Sequence, residues 1–314
     1  VIVTVTVNPS LDRTVEVPSL ERGAVLRAVA GHLDAGGKGV NVTRALTAHG
    51  HASVAVLPVG GPVGRQLVEL LVAQDIPVDA VPIAGATRSN VSIVEPDGTV
   101  TKINEPGAAL TGEEQAFLLA AIRARATGLS AASWVVGAGS LPPGTPTSYY
   151  ADLTRALPGA RVAIDTSGPA LVEAVKAGPA VVKPNREELA EAASGDIATL
   201  GDVVAAAQAL RGLGVGAVLA SLGADGAVLV GEHGVWHGEA AAVPRSSVGA
   251  GDALLAGFLA ADGHGPSALA EGLAWAAAAV SLPGSRMPCP ADLRRADVRV
   301  HDTPDLARRL GERG

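Results

Sequence analysis

The sequence predicts an α/β protein: a central, mostly parallel sheet layered by helices, with a small second β-sheet as a lid. Three observations predict it. Short β-branched runs alternate with helical segments along most of the 314 residues, the pattern of parallel strands joined by helical crossovers. Two stretches, about 14–32 and 87–104, break that alternation with strand-like patterning and no helix between. Aromatics make up only 2% of the chain, so the core must be packed from Ala, Val and Leu, which suits helices laid on a parallel sheet.

The elements follow in order. Val1–Val7 alternates β-branched residues and reads as a first strand rather than a secretory leader, since it lacks a basic start and a small-residue cleavage site. Core strands are expected at Ser53–Val59, Trp134–Val136, Arg161–Asp165, Ala180–Lys183 and Ala217–Ser221. Helices are expected at Gly64–Gln74, Thr111–Ala126, Thr147–Leu157, Leu171–Ala177, Arg186–Ala193 and Leu200–Leu213. Ala268–Leu282 contains Glu271 and is too short and Ala-rich to cross a bilayer, so it reads as a buried helix. The charged tail after Asp302 reads as a final short helix. Residues 1–314 are read as a single domain, with ligands held where the lid closes over the carboxyl ends of the strands.

Charge narrows the partners. A net charge of −7 and the absence of a Lys/Arg run argue against nucleic acid. Cys289 stands alone, so neither an internal disulfide nor a cysteine-built zinc site is possible, and the cytoplasm is the expected compartment. No membrane segment is predicted.

The most informative stretch is Val248-Gly249-Ala250-Gly251-Asp252, which runs directly into an apolar helical segment. Its glycines permit a tight turn, and the helix start aims unpaired N–H groups and a positive dipole end at one point, a socket for an anion. Asp252 beside such a socket is a candidate base, although Gly and Asp at a helix start also serve ordinary capping.

Further candidates fall at other strand-to-helix turns. Asp34 to Ala45 is a glycine run opening into a helix. Gly36, Gly37 and Gly39 allow close backbone approach there, and Lys38 and Asn41 supply a charge and an amide for a polyol or phosphate. A plain βα turn with a solvated lysine explains the same residues. Asn8 and Asp12 follow the first strand, where Asp12 can accept from sugar hydroxyls or simply sit in a Pro-containing turn. Arg88 with Asn90, and Lys102 with Asn104, lie two apart in the expected lid, so each pair shares a strand face. A solvated polar face is the competing reading. Lys183-Pro184-Asn185-Arg186-Glu187-Glu188 places Asn185 and Glu188 three apart on a helix start, suited to Mg²⁺ through water or to a capping box. Ser221-Leu222-Gly223-Ala224-Asp225-Gly226 is a tight turn whose backbone can meet nucleotide phosphates, or a hairpin turn. Gly60-Gly61-Pro62-Val63-Gly64 does not match a dinucleotide fingerprint.

In this order, these segments resemble the ribokinase-like carbohydrate kinases, in particular the phosphofructokinase B family. Gly36 to Asn41 is similar to that family's first signature and Val248 to Asp252 to its second, and the four motifs span nearly the whole chain. The resemblance implies a three-layer ribokinase-like fold and ATP-dependent transfer of a phosphoryl group to a sugar hydroxyl. Asp252 would be the base, with the amides of Gly249, Ala250 and Gly251 as anion hole. Asn185 and Glu188 would organise Mg²⁺. Lys183, Val248, the turn from Ser221 through Leu222, Gly223, Ala224 and Asp225 to Gly226, and Ala276 and Ala279 would contact ATP. Asp12, Gly36, Gly37, Lys38, Asn41 and Ser140 would hold the sugar, and Arg88, helped by Arg27, Lys38 or Lys102, its phosphate, with Asn90 and Asn104 nearby.

Asn8-Pro9-Ser10-Leu11-Asp12, Thr87 to Asn90 and Gly139 to Gly144 favour the hexose-phosphate branch. Thr101 to Gly107 resembles members acting on fructose 1-phosphate more than those acting on tagatose 6-phosphate. The expected reaction is therefore phosphorylation of fructose 1-phosphate at its 6-hydroxyl, with kinases of fructose 6-phosphate or tagatose 6-phosphate as alternatives. A homodimer through the lid is the expected assembly.

Two positions depart from the family pattern. Ser246 stands where many relatives carry an Asp that helps hold a monovalent cation, and Leu282-Pro283-Gly284-Ser285 replaces an Asn-containing adenine loop. From other classes, a noncatalytic sugar-phosphate sensor would need no base beside an anion hole. A dinucleotide oxidoreductase would need a Gly-x-Gly-x-x-Gly loop after the first strand, which is absent.

Overall fold

The computed structural model describes residues 1–128 and 133–311. The chain opens with β1 (Ile2–Thr6), whose alternation splits two sides of the core. Val3, Val5 and Val7 enter one apolar cluster and Ile2 the other. On the Ile2 side, Thr4 bonds Thr43 at 2.6 Å and Thr6 Oγ1 accepts from the Val40 amide at 3.1 Å, which ties the strand to the first helix.

Next come β2 (Ser10–Glu16) and β3 (Ala30–Gly36), then α1 (Lys38–Ala48), β4 (Ser53–Val59), α2 (Gly61–Ala73) and β5 (Val78–Pro82). The second excursion is β6 (Arg88–Val94) and β7 (Val100–Asn104). There follow α3 (Gly112–Ala126), β8 (Trp134–Ala138), α4 (Tyr149–Arg155), β9 (Arg161–Asp165), α5 (Gly168–Val175), β10 (Val181–Val182), α6 (Arg186–Ala193) and α7 (Leu200–Gly212). The last part holds β11 (Ala217–Ser221), β12 (Ala227–Gly231), β13 (Gly234–Ala240), α8 (Ala250–Ala260), α9 (Gly265–Val280) and β14 (Val298–His301).

Ten strands form the main sheet in the order β14-β13-β12-β11-β10-β9-β8-β1-β4-β5. From β11 to β5 every pairing is parallel, and β12, β13 and β14 add an antiparallel edge. Helices α1, α8 and α9 cover one face around Trp134, Phe258 and Trp275. The opposite face buries Leu118, Tyr150, Leu171 and Val203 from α3, α4, α5 and α7. This is the expected three-layer α/β architecture.

The lid is a separate four-stranded sheet, β3-β2-β6-β7. Strands β6 and β7 fall within the expected 87–104, but the first stretch extends beyond the expected 14–32. The first hairpin starts at Ser10 and ends at Gly36, with Ser10 paired to Gly36 and Asp12 to Asp34. Asp12 therefore stands within a lid strand, not in the turn after β1. The expected terminal helix is also corrected. Residues 302–311 run as irregular chain whose backbone serves α7 instead: Leu200 and Gly201 donate to Arg308 and Leu306 carbonyls, and Leu310 donates to Ala198.

Candidate active site

Strand β9 delivers Asp165 at its carboxyl end, and Lys183 follows β10 and Ser221 ends β11 beside it. The first turns of α1 and α8 point into the same space, the crevice where open α/β sheets bind ligands.

At α8, Gly249 takes φ +77, a left-handed N-cap conformation, and a Cβ there would also meet Met287 Cε at 2.4 Å. The positive φ is what calls for glycine, and a side chain there would also have to displace the Met287 methyl. The N–H groups of Gly251 and Asp252 lie in the first turn, where no upstream helical carbonyl receives them. Asp252 is 7% exposed, and its Oδ2 accepts from Asn41 Nδ2 at 2.8 Å. Arg44 in turn donates to Asn41 Oδ1 at 3.5 Å, so the amide presents its NH₂ to the carboxylate. Burial first, and then the charge of Asp165, push Asp252 up to about 6, against the opposing bond from Asn41. A carboxyl poised there can accept a proton near neutral pH.

Asp165 is the residue that the sequence motifs did not single out. It is fully buried and held between two ammonium groups, Lys38 Nζ at 2.7 Å from Oδ1 and Lys183 Nζ at 3.0 Å from Oδ2. Burial pushes its carboxyl up, but Lys183 and Lys38 outweigh that and hold it below the usual carboxylate range. Lys38 also lies 3.8 Å from Glu188 Oε1. Its ammonium is held above the usual lysine range: burial works against the charge, and Asp165, Glu188 and Asp252 more than offset it. Gly251 fits closely here too, since a Cβ would sit 3.3 Å from Lys183 Nζ.

Asn185 and Glu188 form a full capping box at the start of α6, with Glu188 N–H to Asn185 Oδ1 and Asn185 N–H to Glu188 Oε2 both at 2.8 Å. This fixes Asn185 Oδ1 and one Glu188 oxygen, and leaves Oε1 facing Lys38 and the crevice. In the 221–226 turn, Gly223 and Gly226 take φ +62 and +83, and Asp225 turns its carboxylate away to accept from Gly311 N–H at 2.8 Å. Leu222 is buried. Ala276 is half-buried, whereas Ala279 is 1% exposed and packed in the core, with almost no surface to offer a ligand. Val248 is half-buried, and its N–H donates to Ser246 Oγ at 3.2 Å.

The lid shows a polar face set by its register. Ser10 pairs with Arg88, Asp12 with Asn90, Asn90 with Asn104 and Ser92 with Lys102, so these side chains share one side. Asn90 Nδ2 donates to Asp12 Oδ1 at 2.9 Å and to Ser10 Oγ at 3.0 Å. A Cβ on Gly36 would come within 2.5 Å of the Asp12 carboxylate, so this glycine is the space in which Asp12 stands. Gly37 adopts φ +124 beside Thr6. Arg88 spends three N–H groups on backbone, two on the Asn8 carbonyl and one on that of Glu105. One N–H remains on each terminal nitrogen. Asn8 Nδ2 also reaches Ser140 Oγ at 3.3 Å. Lys102 and Asn104 lie on the exposed edge strand, and Arg27 on the exposed loop between β2 and β3.

Comparison with known proteins places this arrangement among the carbohydrate kinases. The family model described as pfkB family carbohydrate kinase matches residues 6–292, and the chain belongs to that family. A 1-phosphofructokinase from Rhodobacter capsulatus is 43% identical over 265 residues, covering 82% of each chain. One from Haloferax volcanii is 37% identical over 307 residues, covering 96% of this chain and 98% of the relative. The crystal structure of phosphofructokinase-2 from Escherichia coli in complex with potassium superposes with a TM-score of 0.86 at 32% identity, over 93% of this chain and 96% of that one.

Proposed function

We propose that the chain transfers the γ-phosphoryl group of ATP to the 6-hydroxyl of fructose 1-phosphate, giving fructose 1,6-bisphosphate and ADP. One observation carries the reading: a buried carboxylate, Asp252, pushed up to about 6 in the first turn of a helix, where the Gly251 and Asp252 N–H groups have no upstream helical carbonyl and that of Ala250 makes only a 3.4 Å contact to Ser247. As the new O–P bond forms and the bond to the ADP oxygen breaks, the hydroxyl proton passes to Asp252. The amides of Gly249, Ala250 and Gly251, with Lys38, stabilise charge on the moving group. Asp12, Gly36, Gly37, Asn41, Asn90 and Ser140 hold the sugar. The two unused N–H groups of Arg88, with Lys102, Asn104 and Arg27 around the lid, take its phosphate, a pairing that suits a planar guanidinium.

Lys183 and the 221–226 turn meet ATP, with Val248 and Ala276 toward the base; the buried Ala279 is left out. The oxygen donors Glu188 Oε1 and Asn185 Oδ1 would hold Mg²⁺, a hard cation, which would neutralise charge on the nucleotide phosphates. No monovalent cation is assigned: Ser246 offers a neutral hydroxyl already engaged by Val248. The face of the lid opposite the crevice carries Val15, Val91, Ile93 and Ile103, with Ile103 57% exposed, which supports a homodimer built lid to lid. Among the described residues no helix is long and apolar enough to cross a membrane, and a free Cys289 suits the cytoplasm.

The test is ADP release with Mg·ATP against fructose 1-phosphate, fructose 6-phosphate, tagatose 6-phosphate and fructose. A kcat/KM preference for fructose 1-phosphate is expected. Preference for a 6-phosphate would overturn the substrate assignment and keep the kinase, and no turnover on any of them would overturn the catalytic reading.

A further inference from the structure

On the far side of the 221–226 turn from the crevice, strands β13 and β14 bring two imidazoles and a carboxylate together. His237 and Glu239 stand two residues apart on β13 and so point to one face, and His301 is the direct cross-strand partner of His237. Gly238 between them faces α9, where a Cβ would strike Leu273 at 2.3 Å, so the cluster looks the other way, toward the C-terminal segment. One ligand atom from each of the three lies within 4.8 Å of the other two, a grouping found at this place among the described residues.

Each of the three side chains already has a polar partner. His237 is 2% exposed and its Nε2 lies 2.8 Å from the Asp225 carbonyl oxygen. A carbonyl only accepts, so Nε2 carries a hydrogen and Nδ1 is the ring nitrogen left for a ligand. The His301 ring lies nearly parallel to it, 17° apart with centroids at 6.0 Å. Arg308 holds Glu239 Oε1 at 2.7 Å, and Oε2 faces His301 Nε2 at 3.4 Å.

We propose that His237, Glu239 and His301 form a binding site for a borderline divalent transition-metal ion of the Zn²⁺ type. Two imidazole nitrogens and one carboxylate oxygen suit such an ion, whereas Mg²⁺ asks for oxygen ligands throughout. Tetrahedral coordination brings ligand atoms to about 3.3 Å of one another. His301, half exposed on the edge strand, turns to close that gap. The Asp225 carbonyl and Arg308 act as outer partners that fix the His237 tautomer and the carboxylate.

The test titrates the full chain, stripped with EDTA, with Zn²⁺ by calorimetry and with Co²⁺ by visible absorption. One equivalent per chain is expected, with the absorption of tetrahedral Co²⁺, and Zn²⁺ should raise Tm. His301→Ala and Glu239→Gln should each weaken binding about ten-fold or more and abolish the Co²⁺ spectrum. Both variants should keep the wild-type Tm in EDTA and the wild-type turnover with Mg·ATP, which separates lost ligation from lost folding. Equal affinity in wild type and both variants would place the ion elsewhere and overturn the site, as would the absence of binding at micromolar Zn²⁺.

Discussion

Lys38 Nζ reaches Asp165 Oδ1 at 2.7 Å across 127 residues of sequence, and Lys183 closes on the other oxygen of the same carboxylate. These bridges form the electrostatic floor of the crevice, and after burial the Asp165 charge is the next largest influence on the base beside it.

Removing that carboxylate leaves two facing ammonium groups without their shared counter-ion, Lys38 keeping only the more distant Glu188 and Asp252. Asp165→Asn is expected to cost about 3 kcal/mol or more, read as a Tm drop on the order of 5–10 °C. Since Asp165 is one of the groups that raise Asp252, the acid limb of the kcat/KM profile should also move to lower pH. An unchanged limb would separate the two carboxylates.

Asp252→Asn should lower kcat by about 100- to 10,000-fold, the usual worth of a positioned base. In the wild type, kcat/KM should fall as pH drops through about 6, because protonation removes the base. The stability sign is opposite to that of an ordinary salt-bridged Asp. A carboxyl raised in the folded state favours folding while protonated, so its contribution is lost as pH rises from the unfolded value of about 4 to about 6. Asp252→Asn should therefore melt higher than wild type at pH 7 to 8, a gain visible by calorimetry even as turnover disappears.

Gly36→Ala places a methyl within 2.5 Å of the Asp12 carboxylate. The KM for the sugar should rise about ten-fold or more, the effect of displacing one substrate contact by 1–2 kcal/mol, while the KM for ATP stays near wild type. Gly112→Ala, where added volume meets nothing, should change neither.

Ile103→Asp puts a charge on the exposed apolar back of the lid. Sedimentation should show the wild type as a dimer and this variant shifted to monomer. A fully active wild-type monomer at micromolar concentration would remove the lid-to-lid assembly.

The sequence was most legible where periodicity and caps agree. Arg161–Asp165, Ala217–Ser221 and Arg186–Ala193 have the expected bounds, because β-branched runs and a capping box are local signals. The lid hairpin extends past its local signal, since Ser10, Asp12 and Gly36 carry little strand propensity and pair through tertiary register instead. The C-terminal segment is irregular rather than helical because its carbonyls serve α7, a partner invisible in local composition. In the crevice, glycine-rich turns announced themselves. Asp165 did not, because a lone Asp ending an apolar strand has no motif, and its importance lies in two lysines brought to it from distant turns.

One junction has a mechanical meaning. The lid strand β3 ends at Gly36 and the helix carrying Lys38 and Asn41 begins two residues later, with only Gly37, at φ +124, between them. The lid strand is thereby tied through a single residue to the helix turn whose Lys38 bonds Asp165 and whose Asn41 bonds Asp252, so the sheet that faces the sugar and the two buried carboxylates share one stretch of backbone.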